Sequence, residues 1–282
     1  MAPKFEFFLQ KPPVSRPARR LYPFARLFML VPLRFFPLLF LLLLAGPAQA
    51  NLTDTIARLK PSVVLVGTFK ATNSPRFQLR GTGFVVGRGE QVITNAHVLP
   101  DNLEQGDAAA LVVQVMGRDG DWQMRSAKVV ARSGEQDLVL LRFDGPVVPA
   151  MVIGDSNNVR EGHELAFMGF PIGGVLGFSV VTHRAMVSSI TAAALPSPTA
   201  DRLKAQAIRG LRSGTFNLFQ LDATAYPGNS GGPLFDTQSG AVVGVVSMVL
   251  IKGTRESAMS QPSGITYAIP AAHVNALLEQ YP

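Results

Sequence analysis

Gly228-Asn229-Ser230-Gly231-Gly232-Pro233-Leu234 is the stretch from which the rest of the chain is read. A serine hydroxyl is a poor nucleophile until a neighbouring base removes its proton. It must also sit on a tight backbone turn, so that nearby N–H groups meet the oxyanion of a tetrahedral intermediate. Glycines on both sides permit such a turn and clear space for a substrate carbonyl. The stretch predicts Ser230 as a nucleophile, with the backbone amides of Gly228 and Ser230 as oxyanion donors. Taken alone, it also fits an ordinary Gly-rich hairpin.

A base for Ser230 must come from four histidines, His97, His163, His183 and His273. His163 follows Glu161-Gly162 in a turn, His183 falls in a strand-like run, and His273 falls on a helical pattern near the C-terminus. These three read as surface or structural residues. His97 differs: Val92-Ile93-Thr94-Asn95-Ala96-His97-Val98-Leu99 is a strand ending among small residues, where an imidazole faces a cleft. With an unperturbed pKa near 6.5, an imidazole suits proton transfer at neutral pH. Asp137 opens the apolar run Leu138–Leu141. An acid there is often only a turn residue. Combined with His97 and Ser230 it reads as the carboxylate that fixes the tautomer of the base.

The rest of the chain predicts an all-β architecture. Short runs rich in Val, Ile and Phe recur at Ser62–Val66, Gly83–Val86, Val92–Thr94, Leu111–Val115, Lys128–Ala131 and Leu138–Phe143. They resume at Glu164–Met168, Phe178–Ile190, Phe219–Ala223, Ala241–Leu250 and Ile265–Ile269. Glycine, proline and polar clusters bound them, as in a barrel or sandwich. Turn chemistry at Gly145-Pro146, Gly154-Asp155 and Asn157-Asn158 separates two β units, about 55–150 and 160–270. His97 and Asp137 fall in the first and Ser230 in the second, so the site is expected in the crevice between them. A closing helix is expected from Pro270, with Val274, Leu277 and Leu278 on one face. The longest connection, Thr191–Asn217, carries four bases against Asp201; a loop of that length is functional or mobile.

Composition narrows the function classes. The net charge is +7, but residues 1–50 hold seven Lys/Arg and a single acid, leaving 19 bases and 18 acids beyond them. The basic character belongs to the leader, which argues against a nucleic-acid partner. Within the leader, the apolar Phe35–Ala45 is followed by Gly46-Pro47 and Ala48-Gln49-Ala50, the pattern of a signal peptide cleaved after Ala50. Its n-region is long, and Met29 is an alternative start. The apolar run is short for a bilayer span of about 20 residues, and the surroundings of Arg19-Arg20 fit twin-Arg export poorly. An uncleaved N-terminal anchor is the alternative. The chain has no cysteine, which excludes disulfides and thiol catalysis and suits a periplasmic or secreted domain held by its core.

The stretches TNAHV, DLVLL and GNSGGPL, in this order, resemble the three triad motifs of trypsin-like serine proteases, and in particular the bacterial HtrA/Deg group. Gly81-Thr82-Gly83-Phe84, Gly154-Asp155-Ser156, Phe167–Pro171, Asp222-Ala223 and Gly264–Pro270 extend the resemblance over roughly residues 55–275. It implies two perpendicular six-stranded barrels, a serine endopeptidase working through an acyl-enzyme on unfolded or exported polypeptides, and no cofactor or metal. The resemblance also places the base of the P1 pocket six residues before the nucleophile, at Thr224, and its wall at Val245–Val249, including Ser247, Met248 and Val249. No acid is then present to select Lys or Arg. Val249 narrows the pocket, so a small or medium aliphatic P1 residue is expected, with broad cleavage because one methylene changes selectivity by only about 1–3 kcal/mol. Relatives of this group carry PDZ domains after the protease. The 52 residues beyond Ser230 are expected to finish the second barrel and a helix, not to form such a module. Relatives also trimerise through an N-terminal segment, but Asn51–Lys60 lacks aromatic residues, so the oligomeric state stays open. The competing readings are a latent or chaperone-like binding module on the same fold, and a different serine hydrolase; the latter class orders its triad Ser, Asp, His, the reverse of the order here.

Overall fold

The computed structural model describes residues 51–100, 109–117, 119–171, 177–192, 216–247 and 264–281. The leader, most of the Thr191–Asn217 connection and the pocket residues Met248 and Val249 lie outside them. Six strands form the first barrel: β1 (Val63–Phe69), β2 (Phe77–Val86), β3 (Gln91–Asn95), β4 (Ala110–Met116), β5 (Trp122–Ser133) and β6 (Leu138–Phe143). Six more form the second: β7 (Glu164–Gly169), β8 (Val181–Ala192), β9 (Asn217–Asp222), β10 (Pro233–Asp236), β11 (Val242–Ser247) and β12 (Ile265–Pro270). Each barrel is closed, in the orders β1-β2-β3-β6-β5-β4 and β7-β8-β9-β12-β11-β10. The wiring is therefore the same in both, and every pairing is antiparallel. This is a trypsin-like double barrel.

The strand runs are nearly continuous in hydrophobicity because both faces are covered. In β1, Val64 and Val66 point into the first barrel with Val85, Val92, Val113, Val139 and Leu141. The alternate residues Val63 and Leu65 face a layer shared with Ala166, Met168, Phe170 and Phe235 of the second barrel. A pleated strand alternates its side chains, so a strand buried on both faces loses the polar half of its pattern. The same shared layer includes an edge-to-face contact of Trp122 with Phe170, ring centroids 5.4 Å apart. It holds the two barrels together beneath the crevice.

Three features depart from the sequence expectation. A helix α1 (Leu52–Leu59) precedes the barrels, capped by Asn51, whose side chain accepts from the Thr53 amide. Leu59 is buried in the core and Leu52 and Ile56 pack against it, a stripe at helical spacing that the strand-by-strand reading passes over. Arg58 ties the helix to the second barrel by donating to the Ser239 carbonyl at 2.8 Å. Strand β10 begins at Pro233 and has four residues; its pattern is hidden inside the glycine-rich motif. Finally, the closing helix α2 spans Ala272–Gln280. Pro270 is not its first turn but the last residue of β12, paired with Gly244. The helix start lacks a side-chain cap of its own, and the distant Ser156 hydroxyl accepts from the Ala272 amide at 3.0 Å instead.

Candidate active site

Strand β3 ends at Asn95 and runs into a single 3-10 turn, Ala96–Val98. The adjacent strand β6 begins at Leu138, paired with Asn95. This register puts Asp137 directly beside the turn that carries His97. Asp137 has φ +53°, alone among the described non-glycine residues in the left-handed region. Aspartate tolerates this conformation better than most residues, and strained backbone of this kind clusters at functional sites. Here it lets both ends of the residue engage one segment. The Asp137 carbonyl accepts from the Ala96 amide and from Asn95 Nδ2, each at 3.0 Å. The carboxylate takes the His97 amide on Oδ1 at 2.9 Å and faces His97 Nδ1 with Oδ2 at 2.7 Å. A carboxylate accepts only, so Nδ1 carries the proton and Nε2 is left as the basic nitrogen.

A third group reaches the same carboxylate. Ser247, at the end of β11 and fully buried, donates its hydroxyl to Asp137 Oδ2 at 3.2 Å. The sequence reading placed Ser247 on a pocket wall and did not foresee this contact across 110 residues. The carboxylate is thus held by three donors from two barrels, which fixes its orientation toward His97.

Ser230 is 5% exposed and lies on the turn between β9 and β10. Backbone hydrogen bonds shape this turn: Asn229 N to Tyr226 O, Gly232 N to Asn229 O, and Gly231 N to Val246 O, all 2.9–3.0 Å. Gly231 has φ +85°, and a Cβ there would lie 2.1 Å from the Thr82 carbonyl and 2.2 Å from Thr94 Oγ1. The glycine is what allows the turn to seat on β2 and β3. Asn229 is fully buried, and among the described residues neither Oδ1 nor Nδ2 of its side chain finds a hydrogen-bond partner, a cost of about 1–3 kcal/mol per group.

Thr82 is the residue that joins the two halves, and sequence reasoning assigned it no role. Its amide donates to the Ser230 carbonyl at 2.9 Å. Its hydroxyl donates to the Gly228 carbonyl at 2.6 Å and accepts from the Phe170 amide at 3.0 Å. The carbonyl of Gly228 (φ +104°) is thereby anchored on barrel one. Thr224 is half-buried. The hydroxyl of Thr266 accepts from the Ala225 amide at 3.0 Å and donates to the Ala223 carbonyl at 2.7 Å, clamping the backbone on both sides of Thr224.

The other three histidines stand apart from this network. His163 is exposed in the turn before β7. His183 stacks on Phe167 with centroids 4.7 Å apart, and its Nε2 is buried without a partner. His273 meets Phe216 edge-on. Burial lowers the pKa of both His183 and His273.

A family model described as a trypsin-like peptidase domain matches residues 81–245, more than half of the chain. The chain belongs to this family. Among its relatives is a probable periplasmic serine endoprotease, DegP-like, of Brucella suis, 28% identical over 71% of this chain and 32% of the relative. A protein of the same description from Pseudomonas putida is 30% identical over 68% of this chain and 33% of the relative. Serine protease HTRA2, mitochondrial, of Drosophila willistoni is 30% identical over 71% of this chain and 38% of the relative. The chain therefore matches about a third of the length of these relatives. Among the described residues, no helix is long and apolar enough to cross a membrane.

Proposed function

We propose that this chain is an endopeptidase of exported or unfolded polypeptides, with Ser230 as nucleophile, His97 as general base and acid, and Asp137 as the group that orients His97. The observation that carries the proposal is the double engagement of Asp137, with one oxygen 2.9 Å from the His97 amide and the other 2.7 Å from His97 Nδ1. Such a grip fixes both the position and the tautomer of the imidazole. His97 Nε2 takes the Ser230 proton as Oγ attacks the scissile carbonyl. The amides of Gly228 and Ser230 stabilise the oxyanion, a contribution of about 2.7–4 kcal/mol per donor in such sites. His97 then protonates the departing amine, and water repeats the sequence on the acyl-enzyme. The resemblance assigns Thr224, Ser247, Met248 and Val249 to the P1 pocket, and the lack of an acid among them favours an aliphatic residue. Export rests on the leader pattern at residues 35–50 and on relatives described as periplasmic.

Replacing Ser230 by alanine tests the assignment. Cleavage of an unfolded protein and labelling by an organophosphonate should both vanish, with the melting temperature unchanged. Cleavage that survives Ser230→Ala sinks the nucleophile assignment. Failure of the unaltered protein to cleave or to be labelled favours the latent binding module.

A further inference from the structure

Strand β2 departs from regular pairing at one point. Val66 of β1 pairs with Gly81, and the next residue, Gly67, pairs with Leu79. Arg80 is skipped and forms a β-bulge. Bulges re-aim a side chain and are frequent beside active sites. Here the bulge turns Arg80 toward the turn of the catalytic base, where its Nε donates to the Val98 carbonyl at 3.3 Å. The next residue, Gly81, is wedged between Val98 and the nucleophile turn: a Cβ on it would lie 2.7 Å from Val98 Cγ2 and 2.9 Å from the Ser230 carbonyl. Arg80 is therefore one residue from a point touching both halves of the site.

The residue is also exposed and, among the described residues, in no ion pair. From Val63 to Gly89 the chain holds Lys70, Arg76, Arg80 and Arg88 and no acid. Among the described residues, the ion pairs are His97–Asp137 and Arg142–Glu90, and neither involves Arg80. Among the described residues, the guanidinium spends one donor on the Val98 carbonyl, and a guanidinium has further N–H groups with which to take a carboxylate.

The location decides which part of a substrate it meets. On the proposed reading, the P1 pocket at Thr224 belongs to barrel two and takes the acyl half. Arg80 lies on the barrel-one flank, beside the histidine that hands its proton to the leaving amine. An extended chain advances about 3.3–3.6 Å per residue, so the first two residues after the scissile bond fall within reach of an arginine side chain.

We propose that Arg80 forms an anion subsite on the leaving-group side, selecting substrates with a carboxylate at the first or second residue after the cleaved bond. The carboxylate is that of an Asp or Glu side chain or of a chain terminus. This rests on the triad reading given above. The subsite acts through one exposed charge pair, so its selectivity is modest.

The test uses the full chain and fluorogenic peptides with a fixed aliphatic P1 residue. One set carries Glu or Gln at each of the two positions. Another ends at the second position with a free or an amidated terminus. Glu peptides, or free-terminus peptides, should show a roughly two- to five-fold higher kcat/KM at low salt, fading near 1 M salt as screening shortens to about 3 Å. The Arg80→Gln variant should bring the ratio to one while still cleaving the Gln peptide. Arg80→Glu should shift preference toward Lys, and Arg88→Gln, in the turn after β2, should keep the original ratio. The two peptide sets tell which source of carboxylate is used. A ratio of one in the unaltered protein, or a preference that survives Arg80→Gln, overturns the subsite while leaving the peptidase intact. No cleavage of any peptide overturns the triad reading and this inference with it.

Discussion

The two barrels share one wiring, yet they hold their halves of the site by different means. Barrel one presents His97 and Asp137 from neighbouring strand ends, and side-chain hydrogen bonds set their geometry. Barrel two presents Ser230 on a turn set by backbone hydrogen bonds and by glycines that admit no Cβ. The first half depends on what the side chains are, and the second on what is missing from them. Deleting chemistry should therefore disable barrel one's half without unfolding it. Adding atoms should damage barrel two's half through the fold itself.

The largest effect is expected at Asp137. In Asp137→Asn, one amide oxygen still accepts from the His97 backbone, but the NH2 group then faces His97 Nδ1. That arrangement favours the tautomer with the proton on Nε2, which cannot take a proton from Ser230. A fall in kcat of roughly four orders of magnitude is expected, with thermal unfolding close to that of the parent. A loss under ten-fold would mean that the grip on His97 is incidental to its chemistry.

Gly231 offers the converse experiment, and Gly120 its control. Both have positive φ, +85° and +84°, but a Cβ on Gly120 meets nothing within 4 Å. Gly120→Ala suffers only the backbone penalty, about 1–2 kcal/mol. Gly231→Ala adds overpacking against Thr82 and Thr94, about 1–3 kcal/mol more. At about 2–4 °C per kcal/mol for a domain of this size, the Gly231 variant should melt several degrees below the Gly120 variant and lose activity. Equal melting temperatures would show that the turn can lift away from β2 without cost.

The same contrast explains what the sequence made legible. Strand β6 was readable to its ends because an uninterrupted apolar run coincides with a register in which both faces are covered. His97 and Asp137 were readable as neighbours because each stands at the end of such a run. The glycines around Ser230 marked a tight turn, and Gly228 and Gly231 do take positive φ there. What escaped was long-range. The contact from Ser247 to Asp137 spans 110 residues, and Thr82 bridges to Gly228 across 146; no local pattern encodes either. The bulge at Arg80 depends on a one-residue shift between two strands, which the composition of neither strand reveals. Strand β10 escaped because its four residues are too few for periodicity to register, whereas the stripe of Leu52, Ile56 and Leu59 on helix α1 was legible and was passed over.

Histidine placement separates the barrels once more, and it predicts the smallest effect. The sole histidine of barrel one is His97, whereas His163, His183 and His273 belong to barrel two and its closing helix. Burial lowers the pKa of His183 below the ordinary histidine value near 6.5. The folded state therefore keeps this ring neutral where the unfolded chain takes up a proton. Proton uptake by the unfolded chain favours unfolding, so this contribution is fully present above pH 6.5 and is lost as pH falls toward the depressed folded value. His273 acts in the same direction. Stability should drop between pH 7 and pH 5, and His183→Phe, which keeps an aromatic ring against Phe167, should flatten part of that drop. Adding His273→Phe should flatten it further. Melting curves across this range decide the matter: an unchanged slope in the double variant would place the acid sensitivity outside these two rings.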